Sequence, residues 1–131
     1  MSNILATTLK NLTATKSAPV ADVIDGYAKA WVNFNGTGTV AIRSSFNITS
    51  ITDNGTGDYT LNFTTALADT NYAVVFGTQD DQTNTGQGSG AVGSIARRTG
   101  IQLTTSCRCV WAVANTGNPY DATTACAAVF R

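Results

Sequence analysis

Two copies of one tetrapeptide, NGTG at 35–38 and again at 54–57, each stand between stretches in which apolar and polar residues alternate. The first lies within WVNFNGTGTVAIR and the second within ITSITDNGTGDYTLNF. Side chains along a strand point to opposite faces with a period of two, so this alternation marks half-buried strands. An Asn-Gly pair between such runs is a hairpin signal, because Asn and Gly accept positive φ at little cost. The flanks of the two copies differ, which argues against a solenoid repeat. NGTG therefore implies a turn of the fold rather than a site.

The pattern continues. Tyr59, Leu61 and Phe63 share one face of YTLNFTTAL; ADTN then turns the chain into YAVVFGTQ, and IQLTTSCRCVWAVAN and ACAAVFR supply the last strands. Between them lies a glycine-rich stretch at about 80–94 that reads as a long loop, followed by SIARRTG. Hydrophobic residues make up 43% of the chain and charged residues only 12%, so its polar surface is built from Thr, Asn, Ser and Gly. Thr favours strands, and Asn and Gly favour turns. All the acidic residues are Asp, and Glu, a good helix former, is absent. The expected fold is all-β: an antiparallel β-sandwich, with a jelly-roll-like arrangement or a small barrel as the alternative. At 131 residues it forms one domain.

Residues 1–29 differ from the β domain at 30–131. They are rich in Ala and Thr, weakly periodic, and broken by Pro19 and Gly26. Ser17 ahead of Pro19 predicts a short helical turn through Ile24. A segment with so few apolar residues must pack on its neighbours or on another subunit. Trp31, Phe34 and the final VFR are candidates for core or subunit contact, core being favoured.

The formal net charge is zero, and Arg97-Arg98 is the only adjacent basic pair. Nucleic-acid binding, which rests on a basic surface, is disfavoured. No run approaches the ~18 apolar residues of a membrane span, and MSNILATTLKNLTATK lacks the apolar centre of a secretory signal. Cys107, Cys109 and Cys126 are an odd set without a His to complete a zinc site. Small buried side chains are the favoured reading, and one bridge from Cys126 to Cys107 or Cys109 is the alternative.

Motifs for chemistry are few. Five Asn-x-Thr sequons, at Asn11, Asn35, Asn47, Asn54 and Asn62, follow from an Asn- and Thr-rich composition. Gly88 to Gly93 matches GxGxxG but leads into no amphipathic helix, so it is not a dinucleotide fingerprint. Without His or Glu, nucleophilic and acid–base catalysis have only the pairs Asp53/Asp58 and Asp80/Asp81 to draw on. The first brackets a turn and the second sits in a polar loop. The chain is therefore expected to be no enzyme and to need no cofactor or metal. Long loops on rigid β scaffolds carry binding, and Asp80, Asp81, Gln82, Asn84 and Gln87 suit hydrogen bonds to a sugar. Tyr120, in the NTGNPYDATT turn, adds an aromatic platform.

Residues 30–75, AWVNFNGTGTVAIRSSFNITSITDNGTGDYTLNFTTALADTNYAVV, together with the closing CAAVFR, resemble a domain recurring in tail-fibre and other appendage proteins of tailed bacteriophages. The resemblance implies a β-rich, homotrimeric, non-enzymatic virion protein at the host-facing end of the particle, assembled in the bacterial cytoplasm. Its partners would be other virion proteins, met through the N-terminal segment, and a host-surface glycan. A capsid or tail decoration protein is the alternative, and a polysaccharide-degrading enzyme a more distant one.

Overall fold

A computed structural model of the chain describes residues 6–11, 13, 15–79, 102–113 and 116–131, and residues 91–95 by their backbone. The elements in order are β1 (Thr8–Lys10), β2 (Ser17–Pro19), α1 (Val20–Gly26), β3 (Ala30–Asn35), β4 (Ala41–Phe46) and β5 (Ile48–Gly55). They continue as β6 (Asp58–Phe63), β7 (Ala73–Gln79), β8 (Ala91–Ile95), β9 (Ser106–Val113) and β10 (Thr124–Phe130). Two four-stranded antiparallel sheets form, ordered β4-β3-β10-β7 and β5-β6-β9-β8, with β1 and β2 paired only to each other. No strand pair among the described residues joins the two large sheets, so the domain is a sandwich and not a closed barrel.

The core follows the alternation. Ala30, Val32 and Phe34 of β3 and Ala125, Ala127 and Val129 of β10 face Tyr59, Leu61 and Phe63 of β6 and Cys107, Cys109 and Trp111 of β9. Four aromatic rings interlock edge to face: Phe34 lies 5.1 Å from Tyr59 and 5.4 Å from Trp111, and Phe76 lies 5.5 Å from Trp111. Such contacts add about 0.5–1.5 kcal/mol each beyond the area they bury.

The chain changes sheet at Asn47, between β4 and β5, where φ is 55°. Asn accepts this left-handed conformation more readily than other non-glycine residues. Its side chain fixes the crossing: the amide donates to Lys29 O (3.0 Å) and Thr65 O (3.1 Å), and Oδ1 accepts the Thr65 N–H (2.7 Å).

Four expectations need correction. Ser17 does not cap a helix; it lies in β2 opposite Lys10, and the helix starts after Pro19, which makes no side-chain cap. Residues 91–95 form strand β8 rather than the end of a loop, because their backbone pairs with β9. That also places Gly93 mid-strand, away from any helix N-terminus. Trp31 is 38% exposed and faces outward, while Phe34 and Val129 are buried. The three cysteines are free: Cys107 and Cys109 are buried in one sheet, whereas Cys126 sits at an outward position of β10 in the other. Alternation on β10 turns the Cys126 thiol away from the core, so the considered bridge has no path.

Candidate functional site

Strand registers divide the sandwich into two ends. Ala30, Phe46, Ala73 and Val129 lie at one end of the first sheet, and Asn35, Ala41, Gln79 and Thr124 at the other. The N-terminal segment joins the domain at the first. Both NGTG turns belong to the second.

At that second end the two copies of NGTG are built differently. Asn35 closes a five-residue connection, accepting Thr37 Oγ1 on Oδ1 (2.9 Å) and donating to Thr37 O (2.6 Å). In the second copy the tight turn falls on Thr56-Gly57 and not on Asn-Gly, since Gly55 pairs with Asp58. Asp121 ties the two together. Its Oδ1 accepts the Gly57 N–H (2.6 Å) and the Tyr59 hydroxyl (2.6 Å), and that hydroxyl lies 2.9 Å from Gly36 O. Burial and then the Asp121 carboxylate push the Tyr59 phenol well above its ordinary range, so it stays a donor. Asp121 was not singled out in the sequence, and only its place beside the NPY turn could have suggested it.

Of the residues considered for binding, Tyr120 stands at this end, half-buried against the core, with its N–H on Trp111 O (2.9 Å). Asp80, Asp81, Gln82, Asn84 and Gln87 lie outside the described residues, as do Arg97 and Arg98. The strands that flank the 80–90 segment, however, end at Gln79 and resume at Ala91, which pairs with Val113. Both anchors belong to the NGTG end.

The acid–base candidates Asp53 and Asp58 are engaged structurally. Asp53 Oδ1 accepts the Gly55 N–H (2.9 Å), and Asp58 takes two bonds from Arg108 (2.8 and 2.6 Å). Among the described residues no group of three or more His, Cys, Asp or Glu could hold a metal ion. Cys107 and Cys109 lie 3.6 Å apart and fully buried, and the neighbouring sulfur together with burial raises the Cys109 thiol.

The two outer faces differ. On the β5-β6-β9 face, the Asn62 amide donates to Ser50 and Thr52 hydroxyls and the Asn54 amide to Thr60, a polar ladder closed by the Asp58–Arg108 pair. On the other sheet, Phe46, Trp31, Ala128 and Val75 occupy one row across all four strands. Phe46 is 49% exposed and Val75 60% exposed. The row is a continuous apolar strip on an exposed sheet face. Arg43 flanks it at the NGTG end, bonded to Thr124 Oγ1 (2.9 Å) and Thr123 O (2.6 Å).

At the N-terminal end the row runs into a depression of about 580 Å³ lined by Tyr27, Phe46, Ala66, Leu67, Lys29 and Arg131, among others. Lys29 Nζ sits 3.6 Å from the centre of the Tyr27 ring and donates to Ile24 O. Arg131 is paired with Asp69.

Fold and surfaces together define a two-sheet antiparallel β-sandwich with a polar ladder on one outer face and a single apolar row across the other. The chain matches no family model, no curated protein and no solved structure.

Proposed function

We propose that this chain is a non-enzymatic structural protein of a tailed-bacteriophage virion, a short tail fibre or similar appendage that assembles as a homotrimer and contacts the host surface. One observation supports the reading beyond the sequence resemblance: the N-terminal segment joins the sandwich at one end, and the strand ends at Gln79 and Ala91 lie at the other. A protein of this build attaches through one end and presents the other. Contact with a surface glycan would be weak for one copy and strong for three held together, since linked sites bind far more tightly than single ones.

Deleting Asp81–Gly90 is expected to abolish adsorption while leaving the thermal transition of the sandwich in place. Adsorption that survives the deletion would overturn this assignment. The apolar outer row favours a second reading, a capsid or tail decoration protein, because such proteins work by covering their neighbours. In that case particles with the altered loop would still infect, and loss of the protein would instead lower their physical stability.

A further inference from the structure

We infer that α1 of one copy of this chain enters the depression at the N-terminal end of a second copy, so that assembly is head to tail. The inference rests on the homo-oligomeric reading above and names the surfaces that build it. Helix α1 has no buried residue, and it projects Val23 (43% exposed) and Ile24 (50%) into solvent. The hairpin β1–β2 behind it pairs with neither sheet and also leaves Leu9 uncovered. Seven helical residues do not hold a helix in water by themselves; tertiary packing of an apolar face normally does so. Within its own chain α1 lacks that packing.

The depression is the matching hole. Its walls are mainly apolar, its volume is in the range that takes a few side chains, and Phe46 makes it continuous with the row Phe46–Trp31–Ala128–Val75. Tyr27, just past the helix, forms one wall of the hole, while Val23 and Ile24 of α1 are not among its lining residues. Different patches that fit each other generate a heterologous contact, which closes into a ring when the rotation allows.

Charge selects the occupant. The helix carries Asp22 and Asp25 and no basic residue in its last turn. Asp25 already adds to the field around Arg131, which is bonded to Asp69. Asp22 has no ion-pair partner among the described residues, and neither has Lys29, the remaining cation of the depression. An acidic-apolar helix suits a cationic-apolar hole, and the chain itself supplies one.

The test is the solution mass of the full chain by light scattering and sedimentation, with circular dichroism as the check on folding. The wild-type chain is expected to assemble, to three copies in the reading above. Ile24→Asp, exposed in the single chain, should weaken association at least tenfold without changing the β spectrum. Lys29→Glu should weaken it about two- to fivefold, the range of an exposed ion pair, and adding Asp22→Lys to that variant should restore it. Assembly unchanged in both Ile24→Asp and Lys29→Glu would overturn the inference while leaving the homo-oligomer standing. A wild-type chain that stays single up to millimolar concentration would overturn both.

Discussion

Gly57 and Gly38 hold the same place in the two NGTG copies and share a left-handed backbone, with φ of 67° and 61°. Their surroundings separate them. A Cβ on Gly57 would stand 2.3 Å from Trp111 O and 2.5 Å from Tyr120 N, both backbone atoms, whereas one on Gly38 would meet nothing within 4 Å. Left-handed backbone costs a side chain about 1–2 kcal/mol, and overpacking adds about 1–3 more. Gly57→Ala should therefore lose about 2–5 kcal/mol in urea unfolding and Gly38→Ala about 1–2. Equal losses would show that the strand β9 backbone gives way at Gly57. At the second position of the motif the roles reverse: Gly36 is crowded by the Tyr59 hydroxyl at 2.7 Å, and Gly55 is open. Tyr59→Phe tests the knot itself. It removes the donor 2.6 Å from Asp121, a hydrogen bond to a charged group, and should cost about 1.5–3 kcal/mol in the same assay.

Elements were legible where one face is buried and the other wet. DYTLNF alternates strictly, and β6 follows it residue for residue with a polar outer face. AWV, YAVVF and CAAVF break that alternation by placing apolar residues on both sides of the strand. Such continuous runs belong to strands covered on both faces. They became β3, β7 and β10, whose outer positions Trp31, Val75 and Ala128 form the apolar row. The signal for an apolar outer row was thus present in the sequence, but core was favoured over subunit contact for Trp31, because a single sequence does not say which side faces in. Asp121 and Asn47 were illegible for another reason. Their partners lie 62–64 and 18 positions away, and only the sheet registers bring them together.

The C-terminal strand supplies an element-scale prediction. Arg131 clasps Asp69 of the β6–β7 connection, and this bond, with the Asn71 N–H, lowers the Asp69 carboxyl from its ordinary 3.8 to about 2. A carboxyl depressed on folding contributes stability above its unfolded value and loses it as pH falls through the folded one. The clasp should therefore be intact above about pH 4 and released as pH falls toward 2. Carboxyl chemical shifts should show Asp69 titrating near 2 in the wild type and higher in Arg131→Gln, though still below its ordinary value because the Asn71 N–H remains. An unshifted midpoint in the wild type would mean that the ion pair is not held in solution.

On the scale of the whole molecule, the division between residues 1–29 and the sandwich is a division of energetic roles. The core cluster begins at Ala30, and no earlier described residue enters it. Helix α1 buries nothing within the chain. Removing residues 1–26 should then leave the unfolding free energy of the single chain within about 1 kcal/mol, as for changes to surface away from any core. Assembly behaves differently. A contact made only between folded copies stabilises the folded state by mass action, so the unfolding midpoint of the full chain should rise with protein concentration. The truncated chain lacks α1 and should unfold at one midpoint across the same concentration range, matching the full chain at its most dilute. Urea titrations of both chains over a hundredfold range of concentration measure this directly. A truncated chain that is strongly destabilised when dilute would place residues 1–26 within the fold itself. A midpoint that still climbs with concentration after truncation would put the contact on the Phe46–Trp31–Ala128–Val75 row alone.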